Sequence, residues 1–330
     1  MATFCSNWPT CVLNGVSAAF VLVTTPVYAL VLVALARRRR DAQLGSAFFR
    51  LCQALACVDL AALANKYAGI NLRLWGCWFA WYARLDAELQ LLEWTNRFLH
   101  FSLVSQVALL VCLTHNRYVA VVAPTRLRRY WPRRRAASAA ALSFLVGLVA
   151  SAPSYFMRQE FRAHLERRND SSVYIVHGAD SNEYVKVYFT VYGLVISTVA
   201  ILLLAVYSAW RRRGSPLKVS RAQLRLTTSG LTLSFSLALL AFCCAITAGT
   251  TFDVYFFAWN ASFDLFYLCN PWSLLLCSSA LRRAFLVELR LDKGMLKTNA
   301  SSTQKNAPIQ SRRHYGAELT PSKPGGVEMR

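Results

Sequence analysis

Long apolar runs alternate along this chain with short basic connections. Residues 12–36 contain no Asp, Glu, Lys or Arg, and Arg37, Arg38, Arg39 and Arg40 follow at once. About 20 apolar residues cross a bilayer core as a helix, so this run predicts a first membrane helix. It is too long for a signal-peptide core, and no basic residue precedes it. The same pattern predicts six more spans, at about 47–72, 89–118, 136–156, 187–210, 226–248 and 254–281. Backbone amides in lipid pair internally, so runs of this length are read as helices. The expected fold is all-α, a polytopic membrane protein built as a seven-transmembrane helix bundle over residues 1–290. After the seventh span, "LRRAFLVEL" sets Leu281, Phe285 and Leu289 on one helical face and Arg282 and Arg283 elsewhere. That spacing predicts a short amphipathic helix on the inner leaflet. Residues 291–330 are polar and predict a disordered tail.

Charge orients the spans. Of 37 Lys and Arg, 27 lie in connections 37–40, 117–135, 211–225 and from 282 onward, against 6 in the alternate connections. Basic residues mark the cytoplasmic side. The N-terminus is therefore expected outside and the C-terminus inside, which needs an odd number of crossings. Topology alone accounts for the net charge of +21, so no nucleic acid is expected as a partner. Composition agrees: 55% hydrophobic and 16% charged residues, where soluble domains carry about 25% charged.

Seven of the ten cysteines fall in spans, where a free thiol packs as a small hydrophobe. Only Cys5, Cys11 and Cys77 face the oxidising side, which leaves room for one bridge, Cys77 with either Cys5 or Cys11. Asn169 in "NDS" is a glycosylation acceptor in the long outer loop; the acceptor triplets at Asn260 and Asn299 fall in a span and in the tail. No Cys/His spacing suits a metal, and no cofactor is expected.

Ionisable residues inside spans are costly and mark function by default. Glu93, Asn96, Arg97 and His100 follow i, i+3, i+4, i+7 spacing on the third span and share one face. Arg117 lies ~36 Å further along that helix at 1.5 Å per residue, which sets Glu93 near the outer interface. Two readings stand: a Glu93–Arg97 pair with His100 bonded to a neighbouring helix, or the polar wall of an outward-opening ligand pocket. Asp59 and Lys66 share a similar face of the second span, and Asn260 and Asp264 are spaced i, i+4 on the seventh. These form either a structural network between helices, or a site in which Lys66 and Arg97 hold an anionic ligand group above a proton- or sodium-sensitive core at Asp59 and Asp264.

"NRYVAVVAPTRLRRYW" after the third span resembles the Asp-Arg-Tyr region of rhodopsin-like G-protein-coupled receptors. "LACVDLAALA" around Asp59 resembles their second-helix Asp motif, and "NPWSLLLCSSALRRAFL" their seventh-helix Asn-Pro motif, here Asn270 and Pro271. The chain departs from that pattern in four places. Asn116 replaces the acidic residue, Leu274 stands where the Asn-Pro motif has Tyr, the fifth and sixth spans lack Pro, and the long outer loop lacks Cys. "GSAFFRLCQALACVDL", "RLWGCWFAWYARL" and "NRYVAVVAPTRLRRYW" are together similar to the nematode serpentine chemoreceptors, particularly class gamma. The resemblance implies a plasma-membrane chemosensory receptor that binds a small extracellular molecule and activates a heterotrimeric G protein. It makes Arg117, flanked by Asn116 and Tyr118, the inner switch. Arg126, Arg128 and Arg129 then line the G-protein face, or serve topology and lipid headgroups.

A transporter or channel for a small solute or ion is the competing reading, although no internal repeat and no Gly/Pro-broken helix pair is visible. An enzyme is not expected. His100 and His115 are ~22 Å apart on one helix and share no metal, and the seventh span has no Lys for a Schiff base.

Overall fold

The computed structural model describes residues 8–41, 43–74, 78–122, 126–152, 163–167, 173–177, 228–230, 232–240, 242–243 and 252–289. Helix α1 runs from Trp8–Arg37 and α2 from Ala47–Lys66. The chain continues from α2 through a π-helical segment, Tyr67–Asn71, into the single turn α3, Leu72–Leu74. Next come α4 (Phe79–Leu89), α5 (Leu91–Val122), α6 (Leu127–Tyr130) and α7 (Arg133–Ser151). Strands β1 (Ala163–Arg167) and β2 (Val173–His177) pair antiparallel, with Ala163 opposite His177 and Arg167 opposite Val173. Helix α8 lies within Thr228–Leu240, and α9 (Phe252–Cys277) and α10 (Ser279–Glu288) close the described chain.

The fold is helical, as the hydrophobic pattern predicts, with the β1–β2 hairpin and α4 as additions within connections that the pattern leaves as loops. Four described helices are long and apolar enough to cross a membrane: Asn14–Arg37, Ala47–Asn71, Leu91–Ala120 and Arg133–Ser151. Helix α9 has 26 residues, ~39 Å at the standard rise. The predicted fifth span and the tail lie outside the described residues, and the sixth is described only in part.

Local chemistry sets the breaks. Gln90 adopts left-handed backbone angles, φ 52 and ψ 40, between α4 and α5. Asp86 accepts the Leu92 N–H at 2.8 Å, capping the start of α5 with a side chain from α4. Pro132 precedes α7, where its missing N–H is harmless. That start lets Arg133, Arg134 and Arg135 join the helix, three residues earlier than the hydrophobic run predicts. Ser278 is extended and its Oγ accepts the Leu281 N–H at 3.2 Å, which ends α9 and starts α10. Leu281 of α10 is buried and Phe285 half-buried while Arg282 and Arg283 are exposed, as the spacing predicts, but Leu289, the third residue of the predicted apolar face, is exposed at the end of the helix.

Helix α2 is the hub and packs against α1, α5, α7 and α9. Polarity across the bundle is inverted relative to a protein in water. Leu142, Leu145, Leu148 and Val149 on α7 and Val16, Leu22 and Val23 on α1 face outward. Thr24, Asp59, Lys66, Arg97, Gln106, Asp264 and Asn270 face inward. Lipid tails accept the first group and exclude the second. Without a hydrophobic force between helices, close contact through small residues holds them together. Gly147 is such a contact: an added Cβ would strike Ser105 Oγ and lie 2.8 Å from the Phe101 carbonyl on α5. Gly69 meets Thr95 in the same way.

Candidate functional site

Among the described residues, groups of buried polar side chains lie inside the bundle, and a further group lies at its arginine-rich end. The first joins α2, α9, α1 and the π-helical segment. Lys66 Nζ donates to Asp264 Oδ1 at 2.5 Å and to the Asn260 carbonyl at 2.7 Å. The i, i+4 spacing of Asn260 and Asp264 puts both acceptors on one turn of α9, so a single ammonium bridges them. The other Asp264 oxygen accepts Ser17 Oγ of α1 and the Tyr67 hydroxyl, the latter at 3.0 Å. Both charges are almost fully buried, and each is the other's counter-ion.

On α5, Arg97 donates to Glu93 at 2.9 Å, the i, i+4 pair anticipated from spacing. The guanidinium also lies 5.1 Å from the centre of the Trp94 ring. His100 is buried one turn deeper and Asn96 is half-buried beside the pair. The two cations predicted to hold an anionic group are thus both neutralised by carboxylates of the protein.

Deeper in the bundle, Asp59 gathers three other helices. Its carboxylate accepts the Tyr28 hydroxyl of α1, Gln106 Nε2 of α5 at 2.7 Å and Asn270 Nδ2 of α9 at 3.1 Å. Asn270 Nδ2 also donates to the Tyr28 oxygen at 2.6 Å. Leu55, Leu110, Leu233 and Phe266 wall this cluster, so the carboxylate sits in an apolar jacket. Pro271 lies inside α9 beside Asn270 and is buried. The sequence does not single out Tyr28 or Gln106. Both are neutral at physiological pH, so neither stands out among apolar neighbours as Asp59 and Lys66 do.

At the arginine-rich end, Arg117 donates to Asn116 Oδ1 at 2.8 Å, and its guanidinium lies 3.7 Å from the centre of the Phe48 ring. Asn116 is buried and Tyr118 is exposed. Arg126 and Arg129 are exposed; the Arg128 side chain lies outside the described residues. Asn169, Cys5, Cys77 and the Cys11 side chain also lie outside them.

Beyond α2, Arg73 on α3 lies over the Tyr82 ring at 4.8 Å and 3.9 Å from Asp86 Oδ1. The Tyr82 hydroxyl donates to the Ala68 carbonyl at 2.6 Å, which fixes the ring. Burial lowers the Arg73 guanidinium from its ordinary pKa, and the Asp86 carboxylate opposes that shift. In the sequence, Arg73 counts only as a loop charge. It lies seven residues after Lys66, but the π-helical segment Tyr67–Asn71 between them breaks the α-helical register that would set both on one face.

Apolar helices around buried charges define a multi-pass membrane protein. The family model for the serpentine type 7TM GPCR chemoreceptor Srv matches residues 18–291, and the chain belongs to this family. The resemblance to nematode serpentine chemoreceptors holds at that level; the class matched is Srv, where the sequence motifs point to class gamma. No curated protein matches the chain.

Proposed function

We propose that the protein is a plasma-membrane chemosensory receptor with its N-terminus outside and C-terminus cytoplasmic. It binds a small extracellular molecule among Lys66, Glu93, Asn96, Arg97, His100, Asn260 and Asp264 and activates a heterotrimeric G protein at the opposite end. The observation that carries this reading is the family match over residues 18–291. The segregation of basic connections to one side supports the orientation.

The mechanism is a ligand-biased population shift, in which a ligand favours the helix arrangement it binds better. The Lys66–Asp264 link between α2 and α9 is the element a ligand perturbs, because a polar ligand competes directly for either partner. Asp59 couples that end to the cytoplasmic one, since it bonds α1, α5 and α9 to α2, and its α5 partner Gln106 lies on the same helix as Arg117. Asn116, Arg117 and Tyr118 form the switch, and Arg126, Arg128 and Arg129 the G-protein surface. The test is G-protein nucleotide turnover in membranes containing the full chain, screened against small polar molecules. Ligand-dependent turnover supports the receptor reading. Solute flux in vesicles without any G protein would replace it with a transporter.

A further inference from the structure

Among the described residues, three buried cations occupy the end of the bundle that holds the Lys66 cluster, and they differ in one respect. Lys66 and Arg97 each donate to a carboxylate within 3 Å. Arg73 is 1% exposed, yet Nε and both terminal nitrogens of its guanidinium lack a hydrogen-bond partner. Asp86 stands at 3.9 Å, beyond hydrogen-bond range, and its Oδ1 already accepts the Leu92 N–H. Tyr82 covers one face of the guanidinium, but its ring offers no acceptor to the in-plane N–H groups. A buried donor set left unpaired is unfavourable, and native structures resolve such sites with a partner.

The position suits a ligand site. Helix α3 extends the π-helical segment that carries Tyr67, one of the Asp264 partners. The hairpin lies over the same end, with α3 against β2 and α5 against β1. A planar guanidinium with its edge unpaired and its face on a fixed aromatic ring is matched by a planar two-oxygen anion.

We propose that Arg73 receives the carboxylate of a small acidic ligand through paired N–H donors from the guanidinium edge. Asp86 acts against binding: its negative charge beside the guanidinium repels a second carboxylate. The assignment rests on the receptor reading for its biological sense, but its chemistry is testable without a G protein.

The experiment measures thermal stabilisation of the purified full chain in lipid nanodiscs by formate, acetate, butyrate and benzoate, each against its primary amide. The same compounds are assayed separately for G-protein turnover. At least one acid is expected to raise the melting temperature in a saturable way while its amide does not. Arg73→Gln is expected to weaken that acid about 10–100-fold, the loss of one charge-assisted hydrogen-bonded contact. Asp86→Asn keeps an oxygen for the Leu92 cap and removes the repelling charge, so the acid is expected to bind several-fold more tightly. If Arg73→Gln does not fold, the acid–amide contrast and Asp86→Asn decide. Equal effects of acids and amides, no acid-dependent shift across the set, unchanged acid binding in Arg73→Gln, or unchanged or weaker binding in Asp86→Asn would each overturn the assignment. Acid binding through Arg73 without ligand-dependent turnover would instead leave this site standing and remove the receptor reading.

Discussion

Lys66 and Asp264 are 198 positions apart in sequence, and their charged atoms meet at 2.5 Å in the interior of the bundle. The pair fastens α2, the hub helix, to α9, and the Asn260 carbonyl fixes the ammonium from the same turn.

Breaking one side of such a pair leaves a buried charge without compensation, at about 3–5 kcal/mol. Lys66→Met and Asp264→Asn are each expected to lower the melting temperature of the solubilised protein and its surface expression. The double variant is expected to recover most of the loss, since no bare charge remains. Additive losses in the double variant would show that the two residues act separately.

Asp59 is the common acceptor for Tyr28, Gln106 and Asn270. Asp59→Ala strands buried donors on three helices, at about 1–3 kcal/mol for each unsatisfied group. Asp59→Asn retains one acceptor oxygen and is expected to fall between wild type and Asp59→Ala in thermal unfolding. Equal stability of all three proteins would contradict the role given to the carboxylate.

Asn116 accepts a hydrogen bond from Arg117 but brings no charge to it. A carboxylate there would add an opposite charge and a second equivalent acceptor oxygen, turning a one-charge hydrogen bond into an ion pair. Asn116→Asp is therefore expected to hold Arg117 more firmly and reduce ligand-free G-protein turnover. Unchanged basal turnover would show that Arg117 is not restrained through this contact.

Gly147 lets α7 approach α5. Gly147→Ala is expected to destabilise by about 1–3 kcal/mol, the usual range for overpacking. Adding Ser105→Ala removes the Oγ that the new methyl strikes and is expected to restore part of the loss. The Phe101 carbonyl, 2.8 Å from where that methyl would sit, is backbone and retreats less readily. Full rescue by Ser105→Ala would place all the strain on the serine.

Much of the architecture is legible in the chain because a bilayer imposes a length and an apolar composition on every crossing. Helices α1, α2, α5, α7 and α9 lie within a few residues of the runs that predict them. Their ends shift where caps intervene: Pro132 draws α7 back to Arg133, and Ser278 stops α9 at Cys277. The β1–β2 hairpin is not legible, because "AHLER" and "VYIVH" lie in a polar loop without a tight-turn dipeptide between them.

The candidate site divides along the same line. The sequence by itself determined the apolar helices, the start of the amphipathic α10 and the Glu93–Arg97 pair. Each follows from periodicity, composition or spacing within one helix. Only the tertiary structure decided that Lys66 faces Asp264, that Asp59 gathers Tyr28, Gln106 and Asn270, and that Arg73 is buried with its donors unpaired. The periodicity of a helix fixes which residues share a face. Which face meets which neighbour, and at what depth, is set by packing between helices, where contacts such as Gly147 on Phe101 and Gly69 on Thr95 fix rotation and separation.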